Sequence, residues 1–167
     1  MAYRSLFEFK NEADVLPFRS IDDRVMGGVS SSALVANNDK TATFSGIVSL
    51  ENNGGFASVR APLPCSDLSM GTGLALRARG DGKRYKLRLT NTASFDSIVY
   101  EASFSTLSGD WKEIEFPFSS FKPRWRGRPV SDAAEFDAAK VFSLGLMIAE
   151  KQVGPFWLQL DWIRLYG

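Results

Sequence analysis

The sequence predicts an all-β fold, a jelly-roll β-sandwich of two antiparallel sheets, and three observations carry that prediction. Aromatic residues are dense, with 13 Phe, four Trp and four Tyr in 167 residues, and such side chains fit a pleated surface better than a helix. The dominant hydrophobic period is two, the pattern of strands with one buried face. Gly, Pro and Asn punctuate the chain often enough to divide it into roughly eight to ten short strands, as sandwich folds require.

Thr41 to Leu50 is the cleanest strand: Ala42, Phe44, Gly46, Val48 and Leu50 alternate with Thr43, Ser45, Ile47 and Ser49. Leu74, Leu76 and Ala78 alternate with Arg77 and Arg79; beyond Gly80-Asp81-Gly82-Lys83, Tyr85, Leu87 and Leu89 alternate with Arg84, Lys86 and Arg88. Asp-Gly between two alternating runs predicts a hairpin of antiparallel neighbours. That hairpin would gather Arg77, Arg79, Arg84, Lys86 and Arg88 on one outward face, with Glu101, Glu113 and Glu115 as cross-strand partners. Ile98, Tyr100, Ala102 and Phe104 continue the period, followed by Ile114 and Phe116. Val141 to Ala149 is apolar nearly throughout, which suits a central strand covered on both faces. Phe156, Leu158, Leu160 and Trp162 share a face, but Ile163 and Leu165 break the phase, which predicts a bulge near Trp162. Asp132 to Lys140 is the best helix candidate, with Asp132 as N-cap and Glu135 at the third helical position. No repeat or linker divides the chain, so a single domain over residues 1–167 is expected.

Composition excludes several functions. Twenty basic and nineteen acidic residues leave a net charge of +1, without the basic field of a general nucleic-acid binder. Histidine is absent and Cys65 is the one cysteine. This removes Ser-His-Asp and Cys-His catalysis, His-based zinc sites and intrachain disulfides. A lone cysteine and the lack of a signal peptide or a run of ~20 apolar residues predict a cytoplasmic protein that does not insert into a membrane. No cofactor is expected. Asp22, Asp23, Glu150 and Asp161 are available as acids, yet nothing in their spacing marks a catalytic pair.

Three segments exceed what strands and simple turns need. Ile21 to Ser32 holds Asp22, Asp23, Arg24 and the pair Gly27-Gly28, which suits either a polar ligand loop or a bulge with local ion pairs. Glu51 to Arg60 holds Asn52-Asn53-Gly54-Gly55; a tight connection is the default, and a functional role needs Asn53 and Arg60 in one site. Pro117 to Pro129 lies in a connection of roughly 24 residues, where long ordered loops tend to be functional. In it Trp125 stands between Arg124 and Arg126, suited either to stacking on a partner or to plugging the sandwich edge.

These segments together resemble a known family. Asp23-Arg24-Val25-Met26-Gly27-Gly28-Val29-Ser30 is similar to the signature of the complex I intermediate-associated protein 30 family. Phe44-x-Gly46, Asn53-Gly54-Gly55-Phe56-x-Ser58-x-Arg60, Trp111, Pro117-Phe118-x-x-Phe121, Arg126-Gly127, Gly145-Leu146, Gly154-Pro155-Phe156 and Leu160-x-x-Ile163 match in order. The resemblance implies a galactose-binding-domain-like jelly roll without catalytic residues and a role in assembling respiratory complex I. Related bacterial and plastid domains are tied to photosystem II biogenesis, and a chain without a presequence resembles a stand-alone bacterial-type member.

The resulting expectation is a non-catalytic assembly factor or scaffold for a membrane-associated respiratory or photosynthetic complex, binding its protein subunits. Asp23, Arg24, Asn53, Arg60, Trp125 and Arg126 would line the contact surface. Two alternatives stand beside it: a carbohydrate-binding-like module, which needs a groove with two or more exposed aromatic rings, and an RNA or polyanion contact through the basic stripe. A structural alternative makes Asp23, Arg24 and Arg60 a salt-bridged network that holds the loops.

Overall fold

A computed structural model of the chain describes residues 3–22, 28–94 and 97–167. The chain forms thirteen strands among these residues: β1 (Tyr3–Glu8), β2 (Arg19–Ser20), β3 (Ser31–Ala36), β4 (Ala42–Val48), β5 (Ala57–Ser66), β6 (Gly73–Gly80), β7 (Arg84–Thr90), β8 (Val99–Ser105), β9 (Lys112–Pro117), β10 (Lys122–Trp125), β11 (Arg128–Pro129), β12 (Val141–Ile148) and β13 (Gly154–Tyr166). They make two antiparallel sheets. The first runs β3-β4-β13-β6-β9, with β1 also paired to β13; the second runs β11-β10-β8-β7-β12-β5-β2. The all-β jelly-roll expectation holds, with three more strands than the upper estimate, because short edge pairs carry little periodicity.

Period-two alternation builds the core from both sheets. Phe44, Leu74, Leu76, Leu158 and Leu160 of the first sheet meet Tyr85, Leu87, Leu89, Leu144 and Leu146 of the second, all fully buried. Phe44 packs edge-on to Phe156 at 5.0 Å and Tyr85 lies 6.1 Å from Phe104, geometries that favour aromatic pairs beyond simple area burial.

β13 is long enough to serve two partners on one side, β4 with residues 154–160 and β1 with residues 162–166. A register shift between Leu160 and Trp162 marks the change, so the bulge expected near Trp162 is present. It turns Trp162 outward against Ala75 and Tyr166 and returns Ile163 and Leu165 to the core. Asp161, the extra residue, accepts a bond from Arg77 Nη1 at 2.9 Å and another from Lys10 Nζ.

Three expectations fail for physical reasons. Leu74–Ala78 and Tyr85–Leu89 are not hairpin neighbours: β6 lies in the first sheet and β7 in the second. The Asp-Gly turn is a crossover, since both runs are amphipathic in the same phase and face one another across the core. The basic stripe is therefore split between opposite outer faces. Asp132 to Lys140 is not helical; Asn91 Nδ2 donates to the Asp137 and Lys140 carbonyls at 2.7 and 2.6 Å, and its Oδ1 accepts from Asp137 N at 2.9 Å. A side chain just past the end of β7 thus satisfies backbone groups that a helix would have paired. The long connection after Pro117 is not a loop either, because β10 extends the second sheet beside β8 and turns back into β11.

Candidate binding face

The outward side of the second sheet is where the sequence leaves charge without apolar reason. Alternation sends Tyr85, Leu87 and Leu89 of β7 inward, so Lys86, Arg88 and Thr90 point out; on β5, Val59 turns in and Arg60 out. Register then aligns Arg19, Arg60, Gly145, Arg88 and Glu101 in one row across β2, β5, β12, β7 and β8.

Glu101 anchors one end of that row. Its side chain is only 6% exposed and meets three cations: Lys86 Nζ at 2.9 Å, Arg88 Nε at 3.4 Å and Arg124 Nε at 3.5 Å. The Arg88 contact lies at ion-pair distance but lacks hydrogen-bond geometry, so Nε is a buried donor without a bond. Burial pushes the Arg88 guanidinium down to about 10, against the pull of Glu101 and with the repulsion of Arg60.

The other end is different. Among the described residues no carboxylate or other acceptor reaches Arg60, whose guanidinium is pushed below its ordinary value by burial alone. Arg60 lines a groove of about 400 Å³, walled by Arg19 and Ile21 on one side and Thr92 to Ser94 on the other, with Pro62, Phe142 and Ser143. A register shift between Val141 and Ser143 turns Phe142 out, 42% exposed. β12 is thus central, as its sequence predicts, but its outer face is partly open at this end.

The outer side of the first sheet is neutralised by comparison. Arg77 pairs with Asp161, Arg79 Nε donates to Gln159 Oε1 at 2.6 Å, and Trp111 lies under both guanidiniums at 4.5 and 5.2 Å. Glu8 takes two bonds from Arg164, which with weaker help hold its carboxyl below the usual carboxylate range.

Of the residues singled out from sequence, Asp23 and Arg24 lie outside the described residues. Asp22, just before them, is buried and accepts from Ser32 Oγ at 2.6 Å and Ser58 N at 3.0 Å. It ties β3 of one sheet to β5 of the other, two residues from Arg60. Asn53 ends a short 3-10 turn, Glu51–Asn53, at the entry to β5. Trp125 and Arg126 occupy the β10–β11 turn, where Arg126 and Gly127 both take positive φ (49° and 79°). That is the left-handed pair a two-residue hairpin turn demands. Trp125 is 43% exposed and Arg126 lies over its ring at 4.6 Å. The structure bonds Asp22 to Ser58 of β5, the strand that carries Arg60, but three strands separate Arg60 from Trp125 in the sheet order, ~19 Å at the usual strand spacing. Arg88, Glu101 and Arg124 fill that interval.

Sequence reasoning set Glu101 opposite the basic residues of β7, as the structure does, but missed Arg19, Phe142 and Gly145 as parts of this face. Gly145 was legible, since a glycine inside an apolar central strand marks close approach of backbone or ligand. A Cβ there would lie 2.8 Å from the Val59 carbonyl oxygen. Among the described residues no cluster of three or more Cys, Asp or Glu is placed to hold a metal ion, and no helix is long and apolar enough to cross a membrane.

Comparison with known proteins identifies the fold and the lineage. A family 11 carbohydrate-binding module of a Clostridium thermocellum cellulosomal cellulase superposes with a TM-score of 0.76 at 22% identity, covering 100% of this chain and 95% of that one. A family 30 module from the same organism superposes with a TM-score of 0.67 at 12% identity, covering 100% and 98%. By sequence, an uncharacterized protein of Schizosaccharomyces pombe is 31% identical over 88% of this chain and 76% of its own length. The mitochondrial complex I intermediate-associated protein 30 of Mus musculus is 25% identical over 98% of this chain, which spans 56% of that protein. The family description "Complex I intermediate-associated protein 30" matches residues 7–160. With that match over nearly the whole chain, the protein belongs to the complex I intermediate-associated protein 30 family.

Proposed function

We propose that this chain is a non-catalytic binding domain that serves as an assembly factor or scaffold for a membrane-associated respiratory or photosynthetic complex. Its partners are protein subunits of that complex, and it associates with them peripherally. The observation that carries this reading is the outer face of the second sheet, where a strand row presents Arg60 and Arg19, without counter-charge among the described residues, beside an open groove. A partner gains more from such preformed groups than from mobile ones, because less ordering accompanies binding. The contact surface runs from Arg60 across Arg88, Glu101 and Arg124 to Trp125 and Arg126, and Asp23, Arg24 and Asn53 contribute to it.

The two alternatives draw less support. A carbohydrate reading has the fold of the clostridial modules in its favour, yet Phe142 is the one aromatic among the described groove residues. A polyanion reading needs one continuous basic stripe, whereas Arg77 and Arg79 lie on the opposite outer face from Lys86 and Arg88.

The test is affinity recovery from detergent-solubilised membranes of the source organism, using wild type, Arg60→Ala and Trp125→Ala. Respiratory or photosynthetic subunits recovered by wild type and lost by either variant at unchanged melting temperature support the proposal. Equal recovery by all three, or recovery of none of these subunits, overturns it.

A further inference from the structure

Where the second sheet's outer face contacts a partner, the chemistry of the contact is open, and the row through Gly145 narrows it. Arg60 and Arg88 flank Gly145 on adjacent strands in direct register, one on each side. With no side chain at Gly145, nothing on β12 stands between the two guanidiniums, and Arg19 follows Arg60 in the same row. The cations of this face include Arg19, Arg60, Arg84, Lys86, Arg88, Lys122 and Arg124. Its described carboxylates are already committed, Glu101 to Lys86, Arg88 and Arg124 and Glu150 to Arg84. Charge is thus satisfied at the Glu101 end and left over at the groove end, where Ile21, Pro62 and Phe142 offer apolar walls.

We propose that the groove over β5 and β12 is an oxyanion-binding site: it takes a carboxylate or phosphate carried on a compact apolar body, with Arg60 and Arg19 holding the oxyanion and Ile21, Pro62 and Phe142 holding the body. Guanidinium donors form the planar, paired hydrogen bonds that both oxyanions accept. The same arrangement argues against a neutral sugar, whose hydroxyls do not repay the desolvation of a partly buried cation. Burial of the Arg60 and Arg88 guanidiniums adds to the case, because each gains on meeting an opposite charge.

This inference rests on the binding role proposed above but is tested apart from it. The whole chain, labelled with 15N, is titrated with 3-phenylpropionate, phenyl phosphate and the neutral 3-phenylpropionamide, and amide shifts are mapped. The expected result is saturable shifts confined to β2, β5, β12 and residues 91–94 with at least one of the two anions. The amide should bind about tenfold more weakly or not at all, as the loss of a charge-assisted bond implies. Carboxylate and phosphate arms distinguish which oxyanion fits. Arg60→Gln should weaken the anion by about tenfold while leaving the spectrum of the remaining strands unchanged, and Arg19→Gln serves if the first variant misfolds. Equal binding of acid and amide, shifts elsewhere on the surface, or no saturation with either anion overturns the site. If that happens while subunit recovery still depends on Arg60, the oxyanion inference alone has failed.

Discussion

At the scale of single residues, the most consequential group in the second sheet is Glu101, because three cations depend on it and one is buried. Arg88 is 13% exposed at its side chain and has Glu101 as its ion-pair partner. Replacing Glu101 by Gln leaves that guanidinium enclosed without a counter-charge, and breaking one partner of a buried pair costs about 3–5 kcal/mol. Arg124→Gln removes a more exposed partner, 31% exposed, and exposed pairs are worth under about 1 kcal/mol. Urea unfolding of both variants should therefore show a large loss for the first and a small one for the second. Comparable losses would mean that Glu101 is not the organising charge. None of this was visible in the sequence beyond the guess that Glu101 faces basic neighbours. Alternation tells which side of a strand a residue takes, but not which strand lies beside it. Arg60 was legible as a candidate because it closes the Asn53-to-Arg60 motif that resembles the family's pattern; that no partner among the described residues reaches it needed the register.

Elements show the same division between what local pattern reports and what tertiary contact decides. Long alternating runs such as β4, β7 and β8 were found in place, and even the β13 bulge followed from a break of phase. Two of the three failures, the segment before β12 and the β10–β11 hairpin, lie where one distant side chain or one short pairing outweighs local propensity. Asn91 alone supplies three bonds to residues 137–140. Asn91→Ala should raise amide exchange across residues 137–140 by roughly two- to tenfold, since each bond it loses is solvent-exposed and a hydrogen bond contributes about 0.5–1.5 kcal/mol. Exchange in β4 and β13 should stay unchanged. If protection in 137–140 survives the substitution, the backbone itself holds the segment, and the helix expectation failed for another reason.

Across the whole molecule, the question is how two sheets built from interleaved stretches of chain stay in register, and the Gly80–Lys83 crossover is one answer. Asp81 sits where the chain leaves the first sheet for the second. Its carboxylate accepts from Trp157 N of β13 at 3.0 Å, Lys83 N at 3.1 Å and the Tyr85 hydroxyl of β7 at 3.0 Å. The Tyr85 oxygen also lies 3.0 Å from the Trp157 carbonyl, so one buried phenol touches both sheets. Burial alone would push the Asp81 carboxyl up, but these bonds, with Lys83 adding its charge, together outweigh it and hold the group below its ordinary 3.8. A carboxyl whose folded value is depressed contributes stability above its unfolded value and loses it as pH falls through the folded one. Asp81→Asn keeps the shape, removes the charge and turns one acceptor into a donor facing Trp157 N or Lys83 N. At pH 7 it should lower unfolding free energy by about 1–3 kcal/mol. The difference from wild type should narrow as pH drops below 3.8, because wild type then protonates the same oxygen. Acid loss from the other carboxylates is common to both proteins and cancels in that difference. Unfolding curves of the pair at pH 7 and pH 3 decide it: a gap that closes assigns the clamp to the ionised Asp81, and a gap of constant size assigns it to packing at the crossover.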